Sequence, residues 1–263
     1  MGSATRSALE SARAQLAAST GIDLVAGEQL LFAARTIGSS PQLTSALTDR
    51  SVEPEAKAGL IGSIFGGFTA PARGLLEGMV ANRWSSGDEL LAGIEEIGIR
   101  AVARSAPASV EVESELFAFG RAVASDAELE LAIGSKRGDA EGKLSLVQSL
   151  LGRSASPQTI AIAGHLVQQP RGRRIGALVR HGAALVADVA GKGVATVTVA
   201  QPLTVAQRDA ISASLQRRYG RAFTLDQVID PAVIGGARVQ VGDEVIDGSV
   251  AARLTELKLR LAG

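Results

Sequence analysis

Apolar side chains recur at helical spacing through the first hundred residues. Leu24, Leu30, Leu31, Ala34 and Ile37 mark one face of a 3.6-residue period, and Gly38, Ser39, Ser40 and Pro41 break the run. A second run, Leu60, Ile61, Ile64 and Phe65, ends at Gly66-Gly67, as a helix C-cap would. Leu75, Leu76, Met79 and Val80 form a third, and Leu90, Leu91, Ile94, Ile97 and Val102 a fourth. Short amphipathic helices separated by Gly, Ser and Pro predict a compact bundle over residues 1–105 rather than a coiled coil.

Residues 106–193 repeat that pattern. A shift of 86 positions carries Arg35 onto Arg121, Leu47 onto Ile133, Lys57 onto Lys143 and Gly66 onto Gly152. Shared landmarks at one offset predict a duplicated bundle. On this reading the first copy has a leading helix, residues 5–18, that the second lacks. Beyond residue 193 the period changes from 3.6 to 2. Residues 194–200 alternate β-branched and small side chains, which predicts a strand. Thr204 and Gln207 form a candidate capping box for a helix that Gly220 stops. Residues 223–229 and 237–241 read as further strands, with Gly242-Asp243 turning into a fourth at 244–246. Val250, Leu254, Leu257 and Leu261 lie on one stripe of a last helix. The expected fold is mainly α with a small α/β C-terminal module: two duplicated helical bundles, 1–105 and 106–193, and then a mixed-sheet domain, 194–263.

Composition narrows the chemistry. The chain has 263 residues, 46% of them hydrophobic, enough for packed cores. Its 27 basic residues balance 27 acidic ones, and aromatics are 3%, so neither a net field nor stacking platforms draw it to nucleic acid. With no cysteine and two histidines, disulfides, thiolate metal sites and thiol nucleophiles are excluded, and no metal or cofactor is expected. No apolar run reaches the roughly 18 residues of a membrane span, so direct membrane insertion is not expected either. Arg6, Glu10 and Arg13 interrupt the N-terminal segment, which therefore lacks a signal-peptide core.

Catalytic motifs fail one by one. Gly191-Lys192 has Val186 where a phosphate-binding loop needs its first glycine, and Gly193 where it needs Ser or Thr. His165 and His181 are too far apart for a zinc-binding helix, and no nucleophile elbow is present. Glu95-Glu96 and Asp243-Glu244 are adjacent carboxylates whose side chains diverge. His165 reads as a satisfied histidine among apolar neighbours. Arg171, Arg173 and Arg174 read as a solvated loop after Pro170. What remains is a non-catalytic adaptor whose helices offer grooves to partner helices.

The stretch 228–257 is more specific. Asp230, Pro231, Ile234, Gly235, Gly236, Val239, Val241, Gly242, Asp243, Ile246, Asp247, Gly248, Ser249, Arg253 and Leu254 form a signature. It strongly resembles that of the delta subunit of bacterial F-type ATP synthase, whose mitochondrial relative is the oligomycin-sensitivity-conferring protein. The upstream helices resemble the bundle of that family in pattern, although this chain carries about one bundle more, as long actinobacterial forms do. The resemblance implies a peripheral-stalk subunit that couples rotation to ATP synthesis, present once per complex on the cytoplasmic face of the plasma membrane. It implies partners as well: N-terminal helices of the alpha subunits for the helical bundle, and C-terminal ends of the b subunits for the α/β module. On that basis Leu9, Leu16 and Leu31 are the candidate groove for the alpha helix, and Val250, Leu254, Leu257 and Leu261 the candidate stalk contact. The signature residues themselves are expected to be folding devices. The alternative from another class is a helical-bundle adaptor of a different complex, and an enzyme ranks below it.

Overall fold

The computed structural model describes residues 2–135 and 139–248. The chain divides into two compact units, Met1–Val186 and Ala187–Gly263.

The first unit is helical. Its elements are α1 (Ser3–Ala18), α2 (Leu24–Gly38), α3 (Pro41–Thr48), α4 (Pro54–Ile64), α5 (Ala70–Ala81) and α6 (Gly87–Arg104). They are followed by α7 (Val112–Ala124), α8 (Ala127–Gly134), α9 (Ala140–Leu151), α10 (Pro157–Gln168) and α11 (Ile175–Val189). Side-chain caps set many of the starts. Asp23 accepts from the Ala26 amide at 2.8 Å, Ser40 from Leu43 at 3.2 Å, Asp126 from Glu128 at 2.9 Å and Ser156 from Thr159 at 3.3 Å. Proline opens α3, α4 and α10, where its missing N–H costs nothing. Leu30, Ile37, Leu47, Ile61, Leu76, Met79, Ile94 and Ile97 fill the core of the first six helices with no measurable exposure.

The helices recur along the chain. α3 and α8 are both eight residues long and start 86 residues apart, at 41 and 127, as α4 and α9 do at 54 and 140. The starts of α2 and α7, α5 and α10, and α6 and α11 follow within two residues of the same shift. Buried positions recur too: Leu47 with Ile133, Ile61 with Val147, and Lys57 with Lys143. Carried through the same shift, α1 falls on residues 89–104, which lie in α6. The second set of helices therefore has a leading helix after all. It is α6, which also closes the first set. This dual position explains the burial of every residue from Gly93 to Val102, because an ordinary amphipathic helix keeps one face in water. Glycine lets α6 be approached that closely. A Cβ on Gly27 of α2 would stand 2.7 Å from the backbone nitrogen of Val102.

The second unit is a four-stranded sheet with one covering helix. β1 (Gly193–Val199) and β2 (Phe223–Ile229) pair in parallel, linked by α12 (Val205–Tyr219) as a βαβ crossover. β3 (Ala237–Val241) joins β1 antiparallel, and β4 (Glu244–Asp247) closes a hairpin, giving the order β2-β1-β3-β4. The Thr204–Gln207 capping box is present, and Gly220 ends α12 at φ 71°. Alternating residues of β1 are buried, and Ala195 packs with Leu215 and Phe223. The candidate stalk residues Val250, Leu254, Leu257 and Leu261, together with Ser249, lie outside the described residues.

Candidate functional site

A charge cluster sits inside the first unit. Arg35 on α2, Glu95 on α6 and His165 on α10 meet in a chain of hydrogen bonds. Arg35 Nη1 donates to His165 Nδ1 at 2.9 Å, so the imidazole proton resides on Nε2 and is donated to Glu95 Oε2 at 3.2 Å. Arg173 Nη2 donates to Glu95 Oε1 at 3.0 Å, and Arg171 Nη2 stands 3.6 Å from Oε2. Glu95 is 3% exposed and His165 1%. Burial pushes the Glu95 carboxyl up, but the His165 hydrogen bond and the two arginines prevail and hold it at about 2. Burial lowers the His165 pKa against the pull of Glu95, with Arg35 and Arg171 adding to the lowering, so the ring stays neutral. Burial likewise lowers that of His181, with Arg173 contributing.

This corrects the reading of the arginine loop. Arg171, in a left-handed turn at φ 44°, and Arg173 neutralise a buried carboxylate and are not merely solvated. The Glu95-Glu96 side chains do diverge. Glu95 faces α10, whereas Glu96 bridges Arg13 and Arg100, each at 2.7 Å. The cluster ties the two helix sets together and holds no reactive arrangement. Sequence spacing missed it because the apolar stripe of α6 marks only one of its two buried faces. Charged residues in a helix with apolar residues on every side were the available signal.

The expected groove residues are placed differently from the expectation. Leu9 and Leu16 are each 4% exposed and belong to the core of the first six helices. Leu31 is 1% exposed and covers Gly98 of α6. Helical spacing identifies an inward face, and in this chain that face is filled internally. Exposed apolar side chains lie elsewhere. Val25 and Phe32 on α2 rim a cleft of about 500 Å³ whose other walls are Leu144 and Gln148 of α9 and Ile160, Ala161 and Gly164 of α10. A second cavity, about 700 Å³, is lined by Leu131 of α8, Arg173, Arg174 and Ile175. Between α1 and α5 runs a seam of small groups, where Gln15 donates to the Gly74 carbonyl at 2.8 Å and lies against Gly78. Ser11 and Ala18 flank Gln15 on α1 and are exposed.

The described signature residues are turn and sheet devices. Asp230 accepts from the Ala232 amide at 2.9 Å and, with Pro231, shapes the turn after β2. Gly235, Gly236 and Gly242 adopt positive φ of 65°, 75° and 59°. Val239 and Val241 pack on the sheet core, Asp247 pairs with Arg238 at 3.6 Å, and the Gly248 amide donates to the Ala237 carbonyl at 3.0 Å. Ile234 is exposed, as are Val228, Ile229 and Val245. Among the described residues no cluster of His, Asp and Glu could hold a metal ion.

The geometry thus offers helix and sheet surfaces rather than a reaction centre, and comparisons with known proteins agree. The family model described as "ATP synthase delta (OSCP) subunit" matches residues 99–261. The chain belongs to the ATP synthase delta (OSCP) family. An ATP synthase subunit delta from Leifsonia xyli subsp. xyli is 46% identical, with 100% of each chain covered. One from Streptomyces griseus subsp. griseus is 39% identical, again over 100% of both. A chain in the cryo-EM structure of the Toxoplasma gondii mitochondrial ATP synthase hexamer is 25% identical over 64% of this chain and 96% of its own, with a TM-score of 0.39. The family match begins inside α6, so α1 to α5 lie outside it, while full-length relatives share them.

Proposed function

We propose that this chain ties the catalytic head of the ATP synthase to the peripheral stalk, its first bundle gripping N-terminal helices of the alpha subunits and its α/β unit holding C-terminal ends of the b subunits. The chain is a non-catalytic subunit of the peripheral stalk. Full-length similarity to delta subunits is the observation that carries this reading. The action is mechanical. A rotor turning within the head drives nucleotide chemistry only if the head is held still, and a subunit bound on both sides supplies that restraint. Joining two contacts in one polypeptide raises the effective concentration of the second, so modest affinities give a durable anchor. No helix among the described residues is long and apolar enough to cross a membrane, consistent with a peripheral position at the cytoplasmic face.

The α1–α5 seam suits a partner helix better than Leu9 and Leu16 do. Small groups there allow a second helix to lie close, with Ser11 and Ala18 exposed beside half-buried Gly74 and Gly78. Titrating the full chain with a peptide of the alpha-subunit N-terminal helix tests the assignment. The double substitution Ser11→Arg, Ala18→Arg should weaken binding at least about tenfold, equivalent to 1.4 kcal/mol. Unchanged affinity with an intact fold would reject the seam.

A further inference from the structure

α2 covers the second set of helices. Its Leu31 lies on Gly98, where a Cβ would come within 3.0 Å of the leucine Cγ, and its Arg35 bonds to His165 on α10. Side chains of α2 also face Ala161 and Gly164 across the cleft. α10 and the end of α6 belong to the part of the chain that matches the family model, whereas α2 does not. A surface of the family bundle is therefore roofed by a helix from the additional one. Under the 86-residue repeat, α6 and α10 correspond to α1 and α5. The seat of α2 is thus the second-set counterpart of the α1–α5 seam, where Ser11 and Ala18 are exposed.

We infer that α2 is a built-in occupant of the helix-accepting surface of the second bundle, so the whole chain takes up one partner helix, on the first bundle, and not two. This rests on the reading of that seam as the alpha-subunit contact. The occupant is permanent. The opposite face of α2, with Leu30, Ala33, Ala34 and Ile37, is buried in the core of the first six helices, so α2 cannot swing away without dismantling that core. The duplicated bundle then acts as an extension of the scaffold and adds no second grip.

Calorimetric titration of the intact chain with the alpha-subunit N-terminal peptide reads the stoichiometry. One peptide per chain is expected. The substitution Gln148→Arg, an exposed position on the α9 wall of the cleft, should leave both stoichiometry and affinity unchanged. The Ser11→Arg, Ala18→Arg chain should lose all binding. Two peptides per chain, or loss of only half the sites in that double variant, would overturn the inference while leaving the head contact standing. Weakening by Gln148→Arg alone would overturn it too. No binding to the unaltered chain would remove the head contact and this inference with it.

Discussion

Replacing Glu95 by glutamine keeps the shape of the side chain and deletes its charge. Arg171 and Arg173 then lose the carboxylate 3.6 and 3.0 Å away, and His165 keeps a weaker acceptor. The depression from 4.5 to about 2 converts at the standard rate to a contribution of about 3 kcal/mol at pH 7. A depressed carboxylate stabilises above its unfolded pKa and loses that contribution as pH falls through the folded value, so about 1 kcal/mol should remain at pH 3. The buried histidine adds to the same trend: held neutral with a lowered pKa, it disfavours the fold as pH drops below about 6.5. Urea unfolding, followed through Trp84 (the single tryptophan, 5% exposed in the first helix set), gives both stabilities. Glu95→Gln should cost about 3 kcal/mol at pH 7 and about 1 at pH 3. An equal loss at both pH values, or a loss below about 1 kcal/mol at pH 7, would show that Glu95 is not the carboxylate balancing this cluster.

Two further outcomes follow from the packing and from the signature. Gly27→Ala should destabilise the first unit by about 1–3 kcal/mol, because the new methyl meets backbone at Val102 rather than a side chain that can yield; thermal melting checks this, and an unchanged midpoint would refute it. Ending the chain before Val250 should leave the helical unit melting as before but abolish proton-driven ATP synthesis by the assembled enzyme, and retained coupling would show that Val250, Leu254, Leu257 and Leu261 do not hold the stalk.

Much of the architecture is legible in the sequence because its signals are local. The alternation at residues 194–200 and the Thr204–Gln207 pair need no tertiary context, and the β1 and α12 boundaries fall within a residue or so of the reading. The 86-residue shift is legible for the same reason, since caps and core positions repeat with it. The double role of α6 is not. Its Leu90, Ile94 and Ile97 announce one inward face, while the second is formed by Glu95, Gly98 and Val102, where a carboxylate and a glycine hide the apolar signal. Partner surfaces are hardest, because an apolar stripe such as Leu9 and Leu16 looks the same whether it meets the chain's own core or another protein. The signature has the converse property: it names the family through glycines and turns that shape the sheet.

Sharing α6 bears on what the additional bundle can do. Two bundles joined by a loop would put a compliant joint in the path of the restraining force. Here the joint is the 18-residue α6 itself, about 27 Å of continuous helix, which belongs to both sets. Bending there would break backbone hydrogen bonds along α6 and pull Arg35 and His165 apart across the cluster. Domain relatives related by a flexible linker move independently by default, and a common helix with neighbours on both sides removes that freedom. The added length is therefore gained with no hinge. For a part whose task is to resist torque, stiffness across the duplication matters more than any further binding site the second copy could have carried.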